Sequence, residues 1–173
     1  MSGLPILSSS PHAFDRLSTG RMMWAVSFCL IPAAAWGVYV FGISALRVML
    51  TAILVSLVSE FVMGRINGRF TLADGSAFLT GLLIGMSMPP NLPLFIPAIA
   101  SVFAIVVVKW SFGGLGSNWM NPALAGRVFV YYSWNSQLST WQAPRTLSLP
   151  DGISSASPLT LIKEGILGPN GNT

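Results

Sequence analysis

Three charged side chains, Glu60, Lys109 and Arg127, are the residues best placed to do chemistry, because each lies in or beside a long apolar stretch. Ionisable groups inside a membrane are costly, so by default they mark ion paths or binding sites. Glu60 lies about one helical turn from the end of its apolar stretch, within reach of headgroup water. We interpret it as a candidate acid on an ion route.

Arg127 lies about eight residues, or ~12 Å, into the last apolar stretch. A guanidinium at that depth requires a partner, and Glu60, a helix-end carbonyl and a bound anion all remain open. Lys109 closes the preceding apolar stretch and is a second candidate charge partner. For Arg127 the alternative to a functional role is a purely structural pairing.

The composition argues against several other chemistries. The only histidine is His12 and the only cysteine is Cys29, so neither a metal cluster nor a Ser–His–Asp arrangement is expected. Nine basic residues give a net charge of +4, but no basic cluster is interleaved with aromatic residues. We therefore expect no metal and no nucleic-acid partner.

The elements that position these charges are predicted to be membrane helices. Hydrophobic residues make up 53% of the chain and charged residues 8%, and neither 22–46 nor 75–108 contains a charge. A helix needs roughly 20 apolar residues to cross the ~30 Å core of a bilayer. The sequence predicts an all-α, polytopic membrane protein with about five transmembrane helices. The predicted spans are 22–41, 45–63, 76–88, 95–108 and 120–134.

Two of the predicted helices are short and broken. A Pro-rich segment at 89–93 ends one, and a Gly-rich segment at 113–118 precedes another. Paired broken helices point to an intramembrane binding site, because irregular backbone at membrane depth must be buried in protein or line a cavity. The alternative is two loops at the membrane surface.

The spacing of two glycines indicates close packing of one helix. Gly81 and Gly85 form a small-xxx-small pattern, which lets another helix approach the backbone. Packing is the first interpretation, and a ligand approaching the bare backbone is the second.

The distribution of basic residues predicts the orientation. Cytoplasmic segments of membrane proteins carry an excess of Lys and Arg. Most basic residues fall on one side if residues 1–21 form a cytoplasmic arm, 22–134 a helical membrane domain and 135–173 an irregular extracytoplasmic tail. We expect a multi-pass protein of the cell (inner) membrane.

A set of motifs in fixed order links the chain to a known family. It begins with Ser10-Pro11-His12 and Phe41-Gly42 and continues to about residue 130. The later motifs are Asp74-Gly75-Ser76-Ala77, Thr80-Gly81-Leu82-Leu83, Pro89-Pro90, Lys109, 113–118 (GGLGSN) and 121–127 (NPALAGR). With these motifs the chain resembles the NqrB/RnfD family of membrane subunits, and within it the RnfD branch.

The resemblance implies a flavin attachment site in the tail. The family pattern reads Asp-x-x-Ser/Thr-Gly-Ala-Thr, and its last residue carries FMN through a phosphoester bond that a flavin transferase installs. Asp151, Ser154 and Ala156 match the pattern, Ser157 replaces the threonine and Ser155 replaces the glycine. Covalent FMN on Ser157 is therefore expected.

The family also implies the function. Its members belong to the Rnf ferredoxin:NAD oxidoreductase and the sodium-pumping NADH:quinone oxidoreductase, so we expect an electron-relaying membrane subunit whose FMN chemistry is coupled to Na⁺ or H⁺ transport. Its partners would be other subunits of that complex, a flavin transferase and the lipid bilayer. Family members are about twice this long, and this sequence corresponds to their amino-terminal half. The alternatives are a flavin-free transporter or channel half-domain and a truncated structural assembly subunit.

Overall fold

The computed structural model describes residues 18–69 and 71–140. All regular elements within these two ranges are helical, which confirms the predicted all-α class. The helices are α1 Thr19–Phe41, α2 Ile43–Ile66, α3 Ser76–Met86, α4 Phe95–Val102, α5 Pro122–Ser133 and α6 Asn135–Leu138. A 3₁₀ turn at Leu72–Asp74 precedes α3, and a π-helical segment at Phe103–Trp110 continues α4.

The first two helices are joined by a single residue, Gly42. Its φ of 77° lies in the left-handed region that glycine adopts readily, and its N–H donates to the carbonyl of Val38 at 2.7 Å. Because one residue completes the turn, α2 begins at Ile43 and not at the predicted Ala45. At its other end α2 continues past the predicted end at Met63 to Ile66.

Helix length separates the elements into two groups. Only α1 and α2, with mean hydropathies of 1.7 and 1.9, are long and apolar enough to cross a membrane within the described parts of the chain. The 11 residues of α3 reach about 16 Å at 1.5 Å per residue, and α5 has 12 residues. The predicted number of five crossings and the orientation therefore stay predictions.

Both predicted breaks lie between helices. No helix forms between Met86 and Phe95, because the prolines at 89, 90 and 93 cannot donate backbone hydrogen bonds. The Gly-rich segment uses φ values of 94° to 101° at Gly113, Gly114 and Gly116. After it, α5 begins at Pro122 and not at the predicted Met120, since the side chain of Asn121 caps the helix by accepting from the N–H of Ala123 at 2.9 Å.

The core lies between α2, α3, α4 and α5, where glycines allow very close contacts. A Cβ on Gly81 would lie 2.6 Å from the Cα of Ile53, and a Cβ on Gly85 would lie 2.7 Å from the Cα of Met49. The glycine pattern of α3 is therefore a packing surface for α2. Gly126 of α5 approaches α4 in the same way, with its Cβ position 2.6 Å from the carbonyl oxygen of Ala100.

Helical structure continues past residue 134, where the tail was predicted to begin. Residues Asn135–Leu138 form one further helical turn, α6. Leu138 is buried in the main hydrophobic cluster, and Trp134 packs against the same cluster. Burial of these two apolar side chains explains the extension, which periodicity over so few residues cannot reveal.

Candidate functional site

The centre of the candidate site is an ion pair buried between α2 and the π-helical segment. The Nζ of Lys109 lies 2.7 Å from the Oε1 of Glu60, and the exposed fractions of the two side chains are 2% and 0%. Burial this deep removes most of the hydration of both charges. The Coulomb attraction and the hydrogen bonds of the pair offset that cost only when their geometry is accurate.

Three neutral groups complete the hydrogen bonding of the pair. Trp110 donates from Nε1 to the Oε2 of Glu60 at 3.0 Å, and Thr71 donates from its hydroxyl to Oε1. Lys109 also donates to the hydroxyl oxygen of Ser76 at 2.8 Å. Both carboxylate oxygens thus have donors, which is the arrangement that makes a buried charge tolerable.

The π-helical segment explains how two consecutive side chains reach one carboxylate. Neighbouring residues of an α-helix point about 100° apart, whereas the wider π turn reduces that angle. Lys109 and Trp110 occupy the last two positions of the segment and bind different oxygens of Glu60. π-Helical turns occur often at functional sites, where they redirect side chains.

Helix α1 holds the turn that brings α3 to the ion pair. Trp24 donates from Nε1 to the carbonyl of Ala73 at 3.0 Å, and its ring stacks on Phe78 with centroids 5.7 Å apart. Gly75 has a φ of 70°, and a Cβ there would lie 2.9 Å from the Trp24 ring. These contacts place Ser76, the first residue of α3, beside Lys109.

One expectation about the charged residues differs from the structure. Glu60 is fully buried and does not reach headgroup water, because α2 continues to Ile66 and the segment after it folds back over the carboxylate through Thr71. Of the two candidate cations, the structure pairs Lys109 with Glu60, so Glu60 is not the partner of Arg127. Arg127, the sixth residue of α5, is partly exposed and forms no hydrogen bond or ion pair within 18–69 and 71–140.

A cavity of about 220 Å³, lined by both apolar and polar side chains, adjoins the ion pair. Its polar lining comes from Ser76, Thr80, Lys109, Asn118 and Asn121. With its side-chain amide assigned so that the nitrogen faces the backbone, Asn118 donates to the carbonyls of Lys109 and Gly114 at 3.2 Å each. The Gly-rich segment and the start of α5 thus meet the buried lysine at one cavity, whose volume is large enough for several water molecules.

The neutral members of the site were missed by sequence reasoning. Glu60 was found because charges are scarce in the apolar parts of the sequence. Thr71, Ser76 and Trp110 carry no charge, so the same criterion could not find them. The residues predicted to hold FMN, namely Asp151, Ser154, Ala156 and Ser157, lie outside the described residues.

The fold and the site together define a class of protein. The chain has two long apolar helices, further short apolar helices and a charge pair enclosed in a helical core. This combination is typical of a polytopic α-helical membrane protein.

Comparison with known proteins narrows the class to a family. A family model described as NQR2, RnfD, RnfE matches residues 6–172. The D subunit of the proton-translocating ferredoxin:NAD(+) oxidoreductase complex of Clostridium ljungdahlii is 42% identical over 158 residues, which are 91% of this chain and 47% of that protein. The D subunit of the Na(+)-translocating ferredoxin:NAD(+) oxidoreductase complex of Acetobacterium woodii is 39% identical over 163 residues, 94% of this chain and 50% of that protein.

A third relative agrees with these two. The D subunit of an ion-translocating oxidoreductase complex of Shewanella frigidimarina is 39% identical over 146 residues, covering 83% of this chain and 42% of that protein. The chain belongs to the NQR2, RnfD, RnfE family. It spans about half the length of the curated relatives it matches.

Proposed function

We propose that this chain acts as a membrane subunit of an ion-translocating electron-transport complex of the Rnf/Nqr type, and that it relays electrons through covalently bound FMN. The observation that carries this proposal is the 42% identity over 91% of the chain to a subunit of a proton-translocating ferredoxin:NAD(+) oxidoreductase. The partners would be the other subunits of such a complex and a flavin transferase. The chain would contribute to a multi-subunit translocase and would not act alone.

The attachment point of the flavin would be the hydroxyl oxygen of Ser157. This oxygen would form a bond to the phosphorus of an activated flavin phosphate. The bond between that phosphorus and its leaving group would break, the hydroxyl would lose its proton, and no electrons would be transferred. Asp151, Ser154 and Ala156 would form the recognition sequence around it. FMN supplies the redox chemistry, and the protein supplies position and electrostatics.

Coupling to cation movement would involve the ion pair of α2. Glu60 is a carboxylate enclosed by protein, and Lys109 both neutralises it and lines the adjoining cavity. A buried acid of this kind suits an ion or proton route. Arg127 remains a candidate charge partner on α5. One relative is named for protons and another for Na⁺, so the similarity supports both cations equally.

The proposed location is the cell inner membrane, with the amino terminus in the cytoplasm and the tail outside. The support is the apolar length of α1 and α2 and the basic residues that flank the start of α1 and the end of α2 in the sequence, namely Arg16, Arg21, Arg65 and Arg69. In that orientation the flavin on Ser157 would lie on the extracytoplasmic side.

Covalent flavin is tested by substitution of its proposed anchor. When the chain is produced with a flavin transferase and denatured on a gel, we expect a fluorescent flavin band. Ser157→Ala is expected to abolish that fluorescence, because alanine has no oxygen to form the phosphoester. Ser148→Ala, nearby in the same segment and outside the motif, should keep it. A parent protein without fluorescence would contradict the flavin and favour a flavin-free transporter subunit.

The one unfavourable departure from the family motif supplies a second prediction. Ser155 occupies the position of a glycine, and serine adopts positive φ values less readily than glycine. Ser155→Gly is therefore expected to increase the fraction of chains that carry flavin, measured as in-gel fluorescence per amount of protein. An unchanged or lower yield would show that the transferase does not require backbone freedom at this position.

A further inference from the structure

We propose that the exposed side of α5 around Arg127 is an interface inside the membrane. Its occupant is a transmembrane helix that carries an Asp or Glu side chain and belongs to the half of the full-length subunit that this chain does not cover. This proposal rests on the membrane placement given above and not on the flavin.

The first observation is that α5 is only partly covered. Ala123, Gly126 and Val130 are buried, and Gly126 packs against α4. On the remaining surface Leu124 and Val128 are 60% and 52% exposed. With 12 residues α5 spans about 18 Å, less than the hydrocarbon core, so lipid around it would meet unpaired backbone groups at its ends.

The second observation is the state of Arg127. It lies midway along α5 between exposed Leu124 and Val128, and it has no hydrogen-bond or ion-pair partner in the parts of the chain that are described. The same ranges contain two acids, Glu60 and Asp74. Both oxygens of Glu60 are engaged by Lys109, Thr71 and Trp110, so the acid in the core is not free to accept a second cation.

The chemistry of the occupant follows from these surroundings. A guanidinium binds a carboxylate through two parallel hydrogen bonds, and it is the side chain best suited to ion pairs at interfaces. A helix partner is favoured over a lipid headgroup because Arg127 lies roughly 8–9 Å along α5 from either end, beside the exposed apolar side chains of Leu124 and Val128. Leu124, Val128 and Tyr132 offer an apolar surface on which a helix can pack.

The length of the relatives indicates which part of the protein the occupant comes from. This chain covers 47% and 50% of two relatives, so roughly as much protein again is available in each of them. Helical membrane proteins pack such remaining segments against polar residues that face the bundle interior. We therefore assign the occupant to that uncovered half and not to an unrelated protein.

The test places a photo-crosslinking amino acid at Val128 in the complete subunit, in membranes of the source cells. The control is the same amino acid at Val58, a valine of α2 with a similar exposed fraction of 60%. At position 128 we expect crosslinks to an apolar peptide that contains Asp or Glu and lies outside these 173 residues. At position 58 we expect crosslinks to lipid.

Substitution of the arginine completes the test. Arg127→Leu is expected to lower the crosslink yield at position 128 about tenfold or more, because the partner carboxylate loses its cation. Arg127→Lys should lower the yield severalfold, since an ammonium group cannot bridge both carboxylate oxygens. The lysine variant decides the question if Arg127→Leu is not recovered from the membrane.

Several results would overturn the proposal. They are crosslinks from position 128 to lipid alone, to a second copy of this chain, to its own residues 141–173, or to a segment without a carboxylate. An unchanged yield in both Arg127 variants would do the same. Flavin fluorescence is measured in a separate experiment. A result that contradicts the interface can therefore be distinguished from a result that contradicts covalent flavin.

Discussion

Lys109→Met is expected to lower the free energy of unfolding by about 3–5 kcal/mol, because it leaves the Glu60 carboxylate buried without its cation. The two side chains are 2% and 0% exposed, so the remaining charge would stay enclosed by protein. Trp110 and Thr71 would still donate to the carboxylate, but neutral donors do not replace a full positive charge. The measurement is a denaturant titration of the purified protein in mixed micelles.

Arg47→Met is the matched control for this prediction. Arg47 is also a cation on a membrane helix, but it is exposed and its side chain contacts the hydroxyl of Ser44 at 3.5 Å. Its replacement should change the unfolding free energy by less than about 1 kcal/mol. If Lys109→Met and Arg47→Met behave alike, the ion pair does not stabilise the fold.

A double substitution separates stability from function at the ion pair. Replacing both Glu60 and Lys109 with apolar residues of similar size is expected to restore most of the stability, since no charge is then left unpaired. Under the function proposed above, that variant should fold and still fail to couple ion movement to electron transfer. A double variant that folds and still couples ion movement to electron transfer would show that Glu60 is not part of the ion route.

The charged residues of the site could be predicted from sequence, but their pairing could not. Charges are so scarce in the apolar parts of this chain that the sequence alone indicates Glu60, Lys109 and Arg127 as candidates. Two cations compete for one acid, however, and 49 positions separate Glu60 from Lys109. The choice depends on how α2 and the π-helical segment pack, and no local pattern encodes that packing.

The same limit explains the other differences. The Pro-rich break and the glycine surface of α3 follow from rules that act over a few residues, and the structure shows both. Burial of Glu60 depends on Thr71, which arrives from the segment after α2. The single turn of α6 depends on the packing of Leu138 and Trp134 against the main hydrophobic cluster. Interactions that a distant segment supplies are visible only in the folded chain.

Gly81→Ala is expected to destabilise the protein by about 1–3 kcal/mol, the usual cost of forcing extra volume into a packed core. The added Cβ would lie 2.6 Å from the Cα of Ile53 and 2.8 Å from the carbonyl oxygen of Ala52. These are backbone atoms and cannot rotate away as a flexible side chain can. The helices α2 and α3 must therefore separate, and the unfolding midpoint in mixed micelles measures the loss.

Gly37→Ala is the control, and it should change stability in the opposite direction. Gly37 lies inside α1 with no atom within 4 Å of its Cβ position, so alanine gains about 0.5–1 kcal/mol from its higher helix propensity. Equal effects at Gly81 and Gly37 would contradict the close contact of α2 and α3. The same contact holds Ser76 of α3 against Lys109. Gly81→Ala and Lys109→Met should consequently destabilise together by less than the sum of their separate effects, because the first already disturbs the pair that the second removes.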